Sequence, residues 1–259
     1  MQQHSVKYTL LFSAAVCGVC AVFVSAAAVT LADRQDANEV LEKRRNVLQA
    51  AGLVKPGEKL AAAEIETAFE SVEAVVIDLE TGEELPDVDP TAFDQQKAKK
   101  DPAASHAPPE NLSRIQRVPD RALVYKVKGD AGGVDMLVLP IEGYGLWGTL
   151  YGFLALGADT RTIEGITYYS HKETPGLGGE VDNPSWKALW PGRFAYDDDW
   201  QPKVEVVKGR AGKPEEDPYR VDGLSGATIT SRGVTNMLRF WLGPQGFGPY
   251  LEKFREGQT

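Results

Sequence analysis

A long uncharged stretch near the N-terminus constrains this chain more than any other feature. Residues 8–32 carry no charged side chain, and at about 1.5 Å of rise per residue a helix of this length crosses a hydrocarbon core of roughly 30 Å. We predict a short tail over residues 1–8 and a transmembrane helix over residues 9–32. A cleaved signal peptide is the alternative, because Lys7 and the small residues 24–28 fit its charged start and cleavage site. The stretch is longer than the roughly 7 to 15 residues of a signal peptide's apolar region, which favours a retained anchor.

The charges that flank this stretch give conflicting information about its orientation. Lys7 precedes it, and a bare count of the cations that follow would place the large domain in the cytoplasm. Carboxylates are interleaved with those later cations over residues 33–45, so the count is a weak guide. The cations are Arg34, Lys43, Arg44 and Arg45, and the carboxylates are Asp33, Asp36, Glu39 and Glu42.

The composition of the rest is that of one folded domain with an anchor. The chain has 259 residues, of which 42% are hydrophobic and 25% charged, as in globular proteins with a substantial core. Its net charge of -9 excludes nucleic acid as a partner, because phosphate backbones bind clustered Lys and Arg. Both cysteines, Cys17 and Cys20, lie inside the predicted span, so redox chemistry elsewhere would need an organic cofactor.

Patterns in the first half predict a peripheral α/β portion over residues 33–112. Apolar spacing indicates an amphipathic linking helix over 33–53 closed by Gly52, a turn at 55–57, a helix over 60–72 and a strand over 74–79. Residues 86–109 are rich in Asp, Pro, Lys and Ala, which is typical of an exposed loop.

The second half, residues 113–259, predicts a sheet with one well-marked helix near its end. A hairpin is expected from strands 122–127 and 134–140 around the turn 129–133, and further strands at 150–156, 163–169 and 204–207. From Ser231 the apolar residues follow helical spacing up to Leu242, and Gly243-Pro244 supplies a stop. This ordering favours an α+β fold.

The turn that leads into this last helix carries the most informative chemistry. Residues 222–231 are small and rich in hydroxyl groups, and a helix N-terminus with free N–H groups favours a phosphate. The same residues also suit simple helix capping, so the two interpretations stay open on physical grounds.

A resemblance adds to this interpretation. The run Asp222-Gly223-Leu224-Ser225-Gly226-Ala227-Thr228 resembles the flavinylation motif, in which a dedicated transferase esterifies the final threonine with FMN through its phosphate. The resemblance implies covalent FMN on Thr228, contacts from Ser225, Gly226 and Ala227, and recognition of Asp222 and Gly223 by the transferase. The fallback attachment sites are Ser225, Thr230 and Ser231.

Other segments extend the resemblance over nearly the whole chain. With the N-terminal span they are the charged helix ending in Leu48-Gln49-Ala50-Ala51-Gly52-Leu53, the run Gly143-Tyr144-Gly145-Leu146-Trp147-Gly148, and Glu173-Thr174-Pro175-Gly176-Leu177-Gly178. Together they are similar to the C subunit of the bacterial Na⁺-translocating NADH:quinone reductases. The flavin motif is shared with the flavin subunit of Rnf-type complexes, which stays an alternative, and the 143–148 run favours the quinone reductase.

The glycine-rich loop over residues 173–178 is the second candidate part of a flavin site. Taken alone it is a turn whose glycines permit close backbone approach. The resemblance implies that Glu173, Thr174, Gly176, Leu177 and Gly178 lie beside the flavin ring. Trp147 and, more weakly, Tyr144 are candidates for its wall, although aromatic residues beside glycines are commonly core.

Charged residues near this loop have plainer interpretations. His171 and Lys172 could favour a reduced flavin electrostatically, but we expect an exposed, solvated pair. The run 197–199 of three aspartates is expected to form a solvated turn, and we assign no metal or Na⁺ site to the chain.

The resemblance implies an electron relay within a multi-subunit membrane complex. The run 143–148 has the spacing Gly-x-Gly-x-x-Gly, but a strand at 150–156 and not a helix is predicted after it, so it does not fit the dinucleotide-binding turn and NADH is expected to bind elsewhere in the complex. The implied partners are the other subunits, the lipid bilayer and the flavin transferase, with the soluble domain on the periplasmic side of the inner membrane. A flavin-free assembly subunit and a secreted, signal-cleaved domain remain as alternatives.

Overall fold

A computed structural model describes residues 5–55, 57–58, 60–129 and 132–257, with the side chains of Asp33 and Asp36 outside the description. Pro56 of the predicted turn at 55–57, and the middle of the predicted turn at 129–133, lie outside the described residues. The chain divides into a first unit that ends at Glu42 and a second unit, Lys43–Thr259. The predicted boundary between residues 112 and 113 is not tested by this division and stays a prediction.

One continuous helix, α1 (Val6–Ala50), replaces the predicted span and separate linking helix. Residues 19–50 contain neither glycine nor proline, so the change from apolar to charged side chains at residue 33 does not interrupt the helix. The segment Val6–Ala32 has a mean hydropathy of 2.3 and is long and apolar enough to cross a membrane, a property that signal sequences share. As predicted, the helix stops at Gly52, whose φ of 71° is left-handed and whose N–H donates to the carbonyl of Gln49.

The second unit is built on an antiparallel sheet of six strands in the order β1-β4-β5-β6-β7-β8. The remaining strands form two short pairs, β2 with β3 and β9 with β10. The bounds of the strands are β1 Val72–Asp78, β2 Ser105–His106, β3 Val118–Pro119, β4 Arg121–Lys128, β5 Val134–Tyr144, β6 Thr149–Gly157, β7 Thr162–Ser170, β8 Arg193–Phe194, β9 Glu205–Val206 and β10 Arg220–Val221.

Helices precede the sheet, lie between its strands and follow its last strand in sequence. Besides α1 they are α2 Ala62–Phe69, α3 Gln95–Lys100, a 3₁₀ helix Gly178–Asp182, α4 Pro184–Lys187, α5 Thr228–Leu242 and α6 Gly248–Glu256. The predicted hairpin is β4 and β5, and the predicted terminal helix is α5. Consecutive antiparallel strands with helices outside them confirm the predicted α+β class.

Helix α5 packs closely on β5 because glycine supplies the room. A Cβ on Gly143 would lie 2.6 Å from Cβ of Met237, and one on Gly233 would lie 2.5 Å from the carbonyl oxygen of Tyr144. The indole of Trp241 donates to the Glu142 carbonyl at 2.7 Å. These contacts fix the N-terminus of α5 beside the turn that follows β5.

The segment predicted as an exposed loop, residues 86–109, contains α3 and β2 and is attached to the sheet. Asp94 caps α3 by accepting from the N–H groups of Gln96 and Lys97. Gln95 Oε1 accepts from the Leu123 N–H at 2.9 Å, and Lys99 forms an ion pair with Glu142. The loop prediction was wrong for α3 because these stabilising contacts are tertiary and leave no periodic pattern in the sequence.

Candidate functional site

The hydroxyl-rich turn forms a rigid entry into α5. The Gly223 N–H donates to the Gly209 carbonyl at 2.7 Å, and the indole of Trp186 donates to the Asp222 carbonyl at 2.8 Å. The Asp222 carboxylate accepts from the Ala211 N–H at 2.8 Å. Neighbouring loops therefore hold residues 222–223, for which recognition by the transferase stays a prediction.

The four hydroxyl groups of this region divide into exposed and buried pairs. Ser225 and Thr228 are exposed, and neither hydroxyl makes a hydrogen bond within the described part of the chain. Thr230 is fully buried, and Ser231 is buried with its hydroxyl bound to the Ala227 carbonyl and accepting from the Leu224 N–H. The two buried groups are therefore closed to a transferase, whereas Thr228 and Ser225 are open to one.

The first turn of α5 also offers free donors. Ala227 occupies the N-cap without a side-chain hydrogen bond. Among the described residues, the amide N–H groups of Thr228, Ile229 and Thr230 donate no hydrogen bond. The Thr228 hydroxyl thus stands at a helix N-terminus whose donors and dipole favour a bound phosphate. The alternative from the sequence was that a Ser or Thr side chain caps the helix. The N-cap residue is Ala227, so no Ser or Thr occupies that position.

The 173–178 loop lies directly beside this N-terminus. It turns at Gly176, with a φ of 76°, and the N–H groups of Leu177 and Gly179 both donate to the Thr174 carbonyl. A Cβ on Gly226 would lie 2.9 Å from Leu177 Cδ2, so the leucine covers the turn before Thr228. Leu177 is nevertheless 45% exposed, and it offers an apolar surface next to the threonine.

Glu173 is buried and connects three segments of the site: the run 143–148, the 173–178 loop and helix α5. Its Oε1 accepts from the N–H groups of Leu146 and Trp147, both at 2.9 Å, and its Oε2 accepts from the Thr230 hydroxyl at 2.6 Å. Gly145 and Gly178 leave the space for this carboxylate, because a Cβ on either would overlap or crowd it. We name this arrangement of Glu173 with its three donors the Glu173 clamp.

The role of Glu173 in the clamp was not foreseen from the sequence. The predicted contact of Glu173 with a cofactor stays a prediction, whereas the structure shows a carboxylate whose bonds go to the protein. A signal was present: a carboxylate between two glycine-rich runs can supply the acceptor that their tight turns need.

Exposed apolar side chains lie on the segments that the Glu173 clamp joins, the run 145–147 and the first turn of α5. Trp147 is 62% exposed, and Leu146 and Ile229 are also exposed. Tyr144 is half-buried, and the Arg114 guanidinium lies over its ring at 5.3 Å. Tyr144 is therefore not simply a core residue. Leu146 and Ile229 were missed from the sequence, although both adjoin predicted site residues.

The charged residues near the loop are only partly as expected. Lys172 is exposed, and its stem packs against Gly148. His171 is mostly buried: Nε2 contacts Asp182 Oδ2 at 2.8 Å, and Nδ1 accepts from the Glu173 N–H at 3.2 Å. The expected solvated pair is therefore wrong for His171, because the histidine supports the loop.

The aspartate run forms the expected turn. Asp197 accepts from the N–H groups of Gln201 and Asp199, which together hold the pKa of its carboxyl below the usual value. Asp198 forms an ion pair with Arg161. Among the described residues no group of three His, Cys, Asp or Glu side chains is arranged to hold a metal ion.

Comparisons with known proteins identify the kind of domain in which this candidate site lies. A family model described as "FMN-binding domain" matches residues 145–243, which include the 173–178 loop and Thr228. The chain is 46% identical to the C subunit of the Na(+)-translocating NADH-quinone reductase of Yersinia pestis, with 98% of this chain and 94% of the relative covered. The corresponding subunit of Pseudomonas aeruginosa is also 46% identical, with 99% of both chains covered.

Solved structures give the same result. The crystal structure of Shewanella oneidensis NqrC matches with a TM-score of 0.76 at 36% identity, covering 83% of this chain and 97% of that one. The structure of the C subunit from Parabacteroides distasonis matches with a TM-score of 0.64 at 29% identity, covering 85% and 96%. The resemblance noted in the sequence is thereby confirmed. The chain belongs to the C-subunit family of the Na⁺-translocating NADH-quinone reductases.

Proposed function

We propose that this chain is the covalent flavoprotein relay of a Na⁺-translocating NADH:quinone reductase. It carries FMN as a phosphoester on Thr228 Oγ1 and passes electrons between neighbouring subunits. When bound, FMN supplies a ring that accepts and donates electrons. The chain's own residues bind the phosphate, pack against the flavin ring and contact the partner subunits.

The exposed Thr228 hydroxyl carries this proposal. It is free of hydrogen bonds among the described residues and lies in the first turn of α5, where the unpaired N–H groups favour a phosphate. Thr230 and Ser231, the fallback sites inside the helix, are buried and bonded. Ser225 is the remaining exposed competitor.

The residues around Thr228 also fit a flat, partly apolar ring. Leu177 and Trp147 present exposed apolar surface, and the Glu173 clamp ties the loops that carry them to α5. Backbone groups of Thr174, Gly176 and Gly178 stand beside them as candidates for polar contacts with ring atoms. Such a site holds a cofactor by its phosphate and leaves the ring accessible to partners.

The anchor completes the proposal. We infer that α1 is retained as a single span in the inner membrane and that the soluble domain lies on the periplasmic side, as the resemblance implies. A flavin transferase acts on residues 222–228 before or during assembly with the other subunits. Intact-mass measurement tests retention, because signal cleavage would remove the first residues. Modification of an introduced exposed cysteine by an impermeant reagent in whole cells tests the side.

The deciding experiment is in-gel flavin fluorescence of the denatured full-length chain, expressed together with the transferase. We expect a fluorescent band for the wild type and a dark band for Thr228→Val, because valine keeps the shape and removes the esterified oxygen. Ser225→Ala is the matched control at the neighbouring exposed hydroxyl, and it should stay fluorescent.

Three outcomes would contradict the proposal in different ways. A dark wild-type band with an active transferase would remove the flavoprotein function and support a flavin-free assembly subunit. Fluorescence that survives in Thr228→Val would move the linkage to another hydroxyl. Loss in Ser225→Ala alone would place it on Ser225.

A further inference from the structure

A basic cleft lies next to the candidate flavin site, and the cations that line it do not belong to that site. It has a volume of about 430 Å³ and opens between the end of α3, the turn over residues 111–117 and the end of β5. Four cations line it, together with one carboxylate, Glu142. The cations are Lys99, Lys100, Arg114 and Arg117.

Three of these positive charges have no carboxylate partner. Glu142 is buried and neutralises Lys99 through an ion pair. Over the residues that the structure describes, neither Lys100 nor Arg114 forms an ion pair, and Arg117 bonds only to the hydroxyl and carbonyl of Ser105. The cleft therefore has a local excess of positive charge within a chain whose net charge is -9. Concave, one-signed surfaces of this kind concentrate ligands of opposite charge.

The cations are held in place before any ligand arrives. Arg114 has a left-handed φ of 54°, a backbone conformation that costs a non-glycine residue about 1 kcal/mol or more. The Asn111 side chain fixes that turn by accepting from the Ile115 N–H and donating to the Ile115 carbonyl, both at 3.0 Å. The Arg114 guanidinium lies over the Tyr144 ring, which leaves its N–H edges free for a planar anion. Preorganised cations reduce the entropy cost of binding.

A buried hydroxyl at the base of the cleft points to the same kind of ligand. Ser113 lines the cleft, is 1% exposed, and its hydroxyl makes no hydrogen bond to any described residue. The small accessible area that Ser113 keeps includes its hydroxyl oxygen, which therefore faces solvent in the cleft, and a ligand oxygen can replace water as its partner. An oxygen atom that enters the cleft between the arginines can accept from this hydroxyl.

The position of the cleft indicates a protein ligand. Tyr144 and Thr149 line both this cleft and the groove that contains Trp147 and Lys172. A chain segment seated in the cleft would therefore lie next to the exposed edge of the candidate flavin site. The acidic remainder of the domain would repel an acidic partner everywhere else, so the cleft would also fix its orientation.

We propose that this cleft is the docking site for an acidic segment of a neighbouring subunit, with Asp or Glu carboxylates bound by Lys100, Arg114 and Arg117 and by the Ser113 hydroxyl. The proposal rests on the proposed function, because it assumes a partner that approaches the flavin edge. Its chemistry is charge-assisted hydrogen bonding, most specific where a carboxylate meets the planar guanidinium of Arg114.

The test uses the full-length chain coexpressed with the other subunits and the transferase. Lys100→Glu combined with Arg114→Glu reverses two exposed charges that make no ion pair among the described residues, so the chain should still fold although the contact of Arg114 with the Tyr144 ring is lost. The matched control, Arg121→Glu with Lys213→Glu, makes the same charge change outside the cleft. The readout is the fraction of this chain retained when the complex is purified through a tag on another subunit. We expect retention to fall about tenfold for the cleft variant only.

Flavin loading separates the failure of this proposal from that of the proposed function. In-gel flavin fluorescence of the cleft variant should equal that of the wild type, and a loss would assign the cleft to the flavin site and overturn the docking proposal. A dark wild type would refute the proposed function while the retention measurement still reports on the cleft.

The retention measurement has its own contradicting outcomes. Retention of the cleft variant equal to that of the control would overturn docking. An equal loss in both variants would also overturn it, because the loss would then depend only on net charge. Calorimetric binding of inorganic phosphate with unchanged retention would make the cleft a small-anion site and likewise overturn docking.

Discussion

The exposed and buried halves of residues 225–231 use the same residue types for opposite purposes. In the exposed half, the Ser225 and Thr228 hydroxyls and the first N–H groups of α5 make no hydrogen bond within the described part of the chain. In the buried half, Thr230 and Ser231 use theirs to bind the Glu173 clamp and the preceding turn. The difference follows from helix geometry, because residues 230 and 231 continue the buried stripe of α5 while 228 and 229 face away from it.

This contrast predicts that flavin attachment and fold stability depend on different residues within the same short segment. Changes in the buried half should alter the free energy of unfolding and leave flavin attachment possible. In the exposed half, loss of the Thr228 hydroxyl should abolish attachment with little effect on stability, whereas loss of the Ser225 hydroxyl should change neither. Urea unfolding of the detergent-solubilised full-length chain, followed by tryptophan fluorescence, measures the first effect, and in-gel flavin fluorescence measures the second.

The largest effect on stability is expected from Glu173→Ala. The substitution removes an acceptor shared by three buried or half-buried donors, and hydrogen bonds to a charged group contribute about 1.5 to 3 kcal/mol each. Allowing for water that enters the loop, we expect the free energy of unfolding to fall by about 3 to 5 kcal/mol. Glu173→Gln is the control, because one amide oxygen can still accept from Leu146 and Trp147, and it should cost about 1 to 2 kcal/mol. Equal and small losses for both variants would show that the clamp contributes little.

A smaller loss is expected from Gly178→Ala. The new Cβ would overlap Glu173 Oε2 and lie 2.6 Å from Thr230 Oγ1, and crowding of this kind costs about 1 to 3 kcal/mol. Gly176→Ala supplies a matched control in the same loop, since its φ of 76° adds backbone strain of about 1 kcal/mol but no atom lies within 4 Å of the new Cβ. In a Glu173→Ala background the cost of Gly178→Ala should shrink, because the overlapping carboxylate is gone. An unchanged cost in that background would exclude the overlap as its cause.

The comparison itself is tested most directly by a pair of threonine variants. Thr230→Val leaves one oxygen of Glu173 without its donor and should cost about 1.5 kcal/mol, the lower end for a hydrogen bond to a charged group, with flavin fluorescence retained. Thr228→Val should change the free energy of unfolding by less than about 0.5 kcal/mol, as is usual for an exposed position, and abolish flavin fluorescence. Loss of fluorescence in both variants at equal stability would show that the clamp takes part in attachment and that the two halves are not separate.

The sequence predicted the elements whose signals are local. The stripe of α5, the β4-β5 hairpin and the apolar span each follow from spacing within one segment. The same stripe, extended back by one turn from Val234, would also have placed Thr230 and Ser231 in the buried half. The burial of Thr230 and Ser231 could therefore have been predicted from the spacing of α5.

Features that depend on tertiary partners were not predictable in this way. α3 is stabilised by Gln95 and Lys99 contacting the sheet, and the Glu173 clamp joins residues far apart in sequence. The continuity of α1 was missed for another reason: a change of polarity was treated as a boundary, whereas a helix ends only where its backbone or capping changes. Gly52 supplies that change and was correctly identified.

The smallest predicted effect concerns the charge of Lys187, which shares the Asp182 carboxylate with His171 of the neighbouring loop. Lys187 is largely buried, and burial lowers the pKa of its ammonium, although the Asp182 carboxylate at 3.6 Å opposes the shift. Its Nζ donates to the Thr167 hydroxyl at 3.3 Å. Between this lowered pKa and the usual value of 10.5, the unfolded chain binds more protons than the folded one, so stability rises with pH in that window.

Lys187→Met should remove this rise, which cannot exceed about 1.4 kcal/mol per pH unit for one proton. Burial raises the pKa of Tyr125 to about 12 despite the opposing charge of Arg44, and ionisation of such a tyrosine in the unfolded chain lowers stability above about pH 10. That effect is common to the wild type and the variant, so the difference between their pH profiles isolates Lys187. Identical profiles would mean that Asp182 and Thr167 compensate the buried charge fully. The Lys187 ammonium would then resemble the Glu173 carboxylate, because the hydrogen bonds of each would offset the cost of burying its charge.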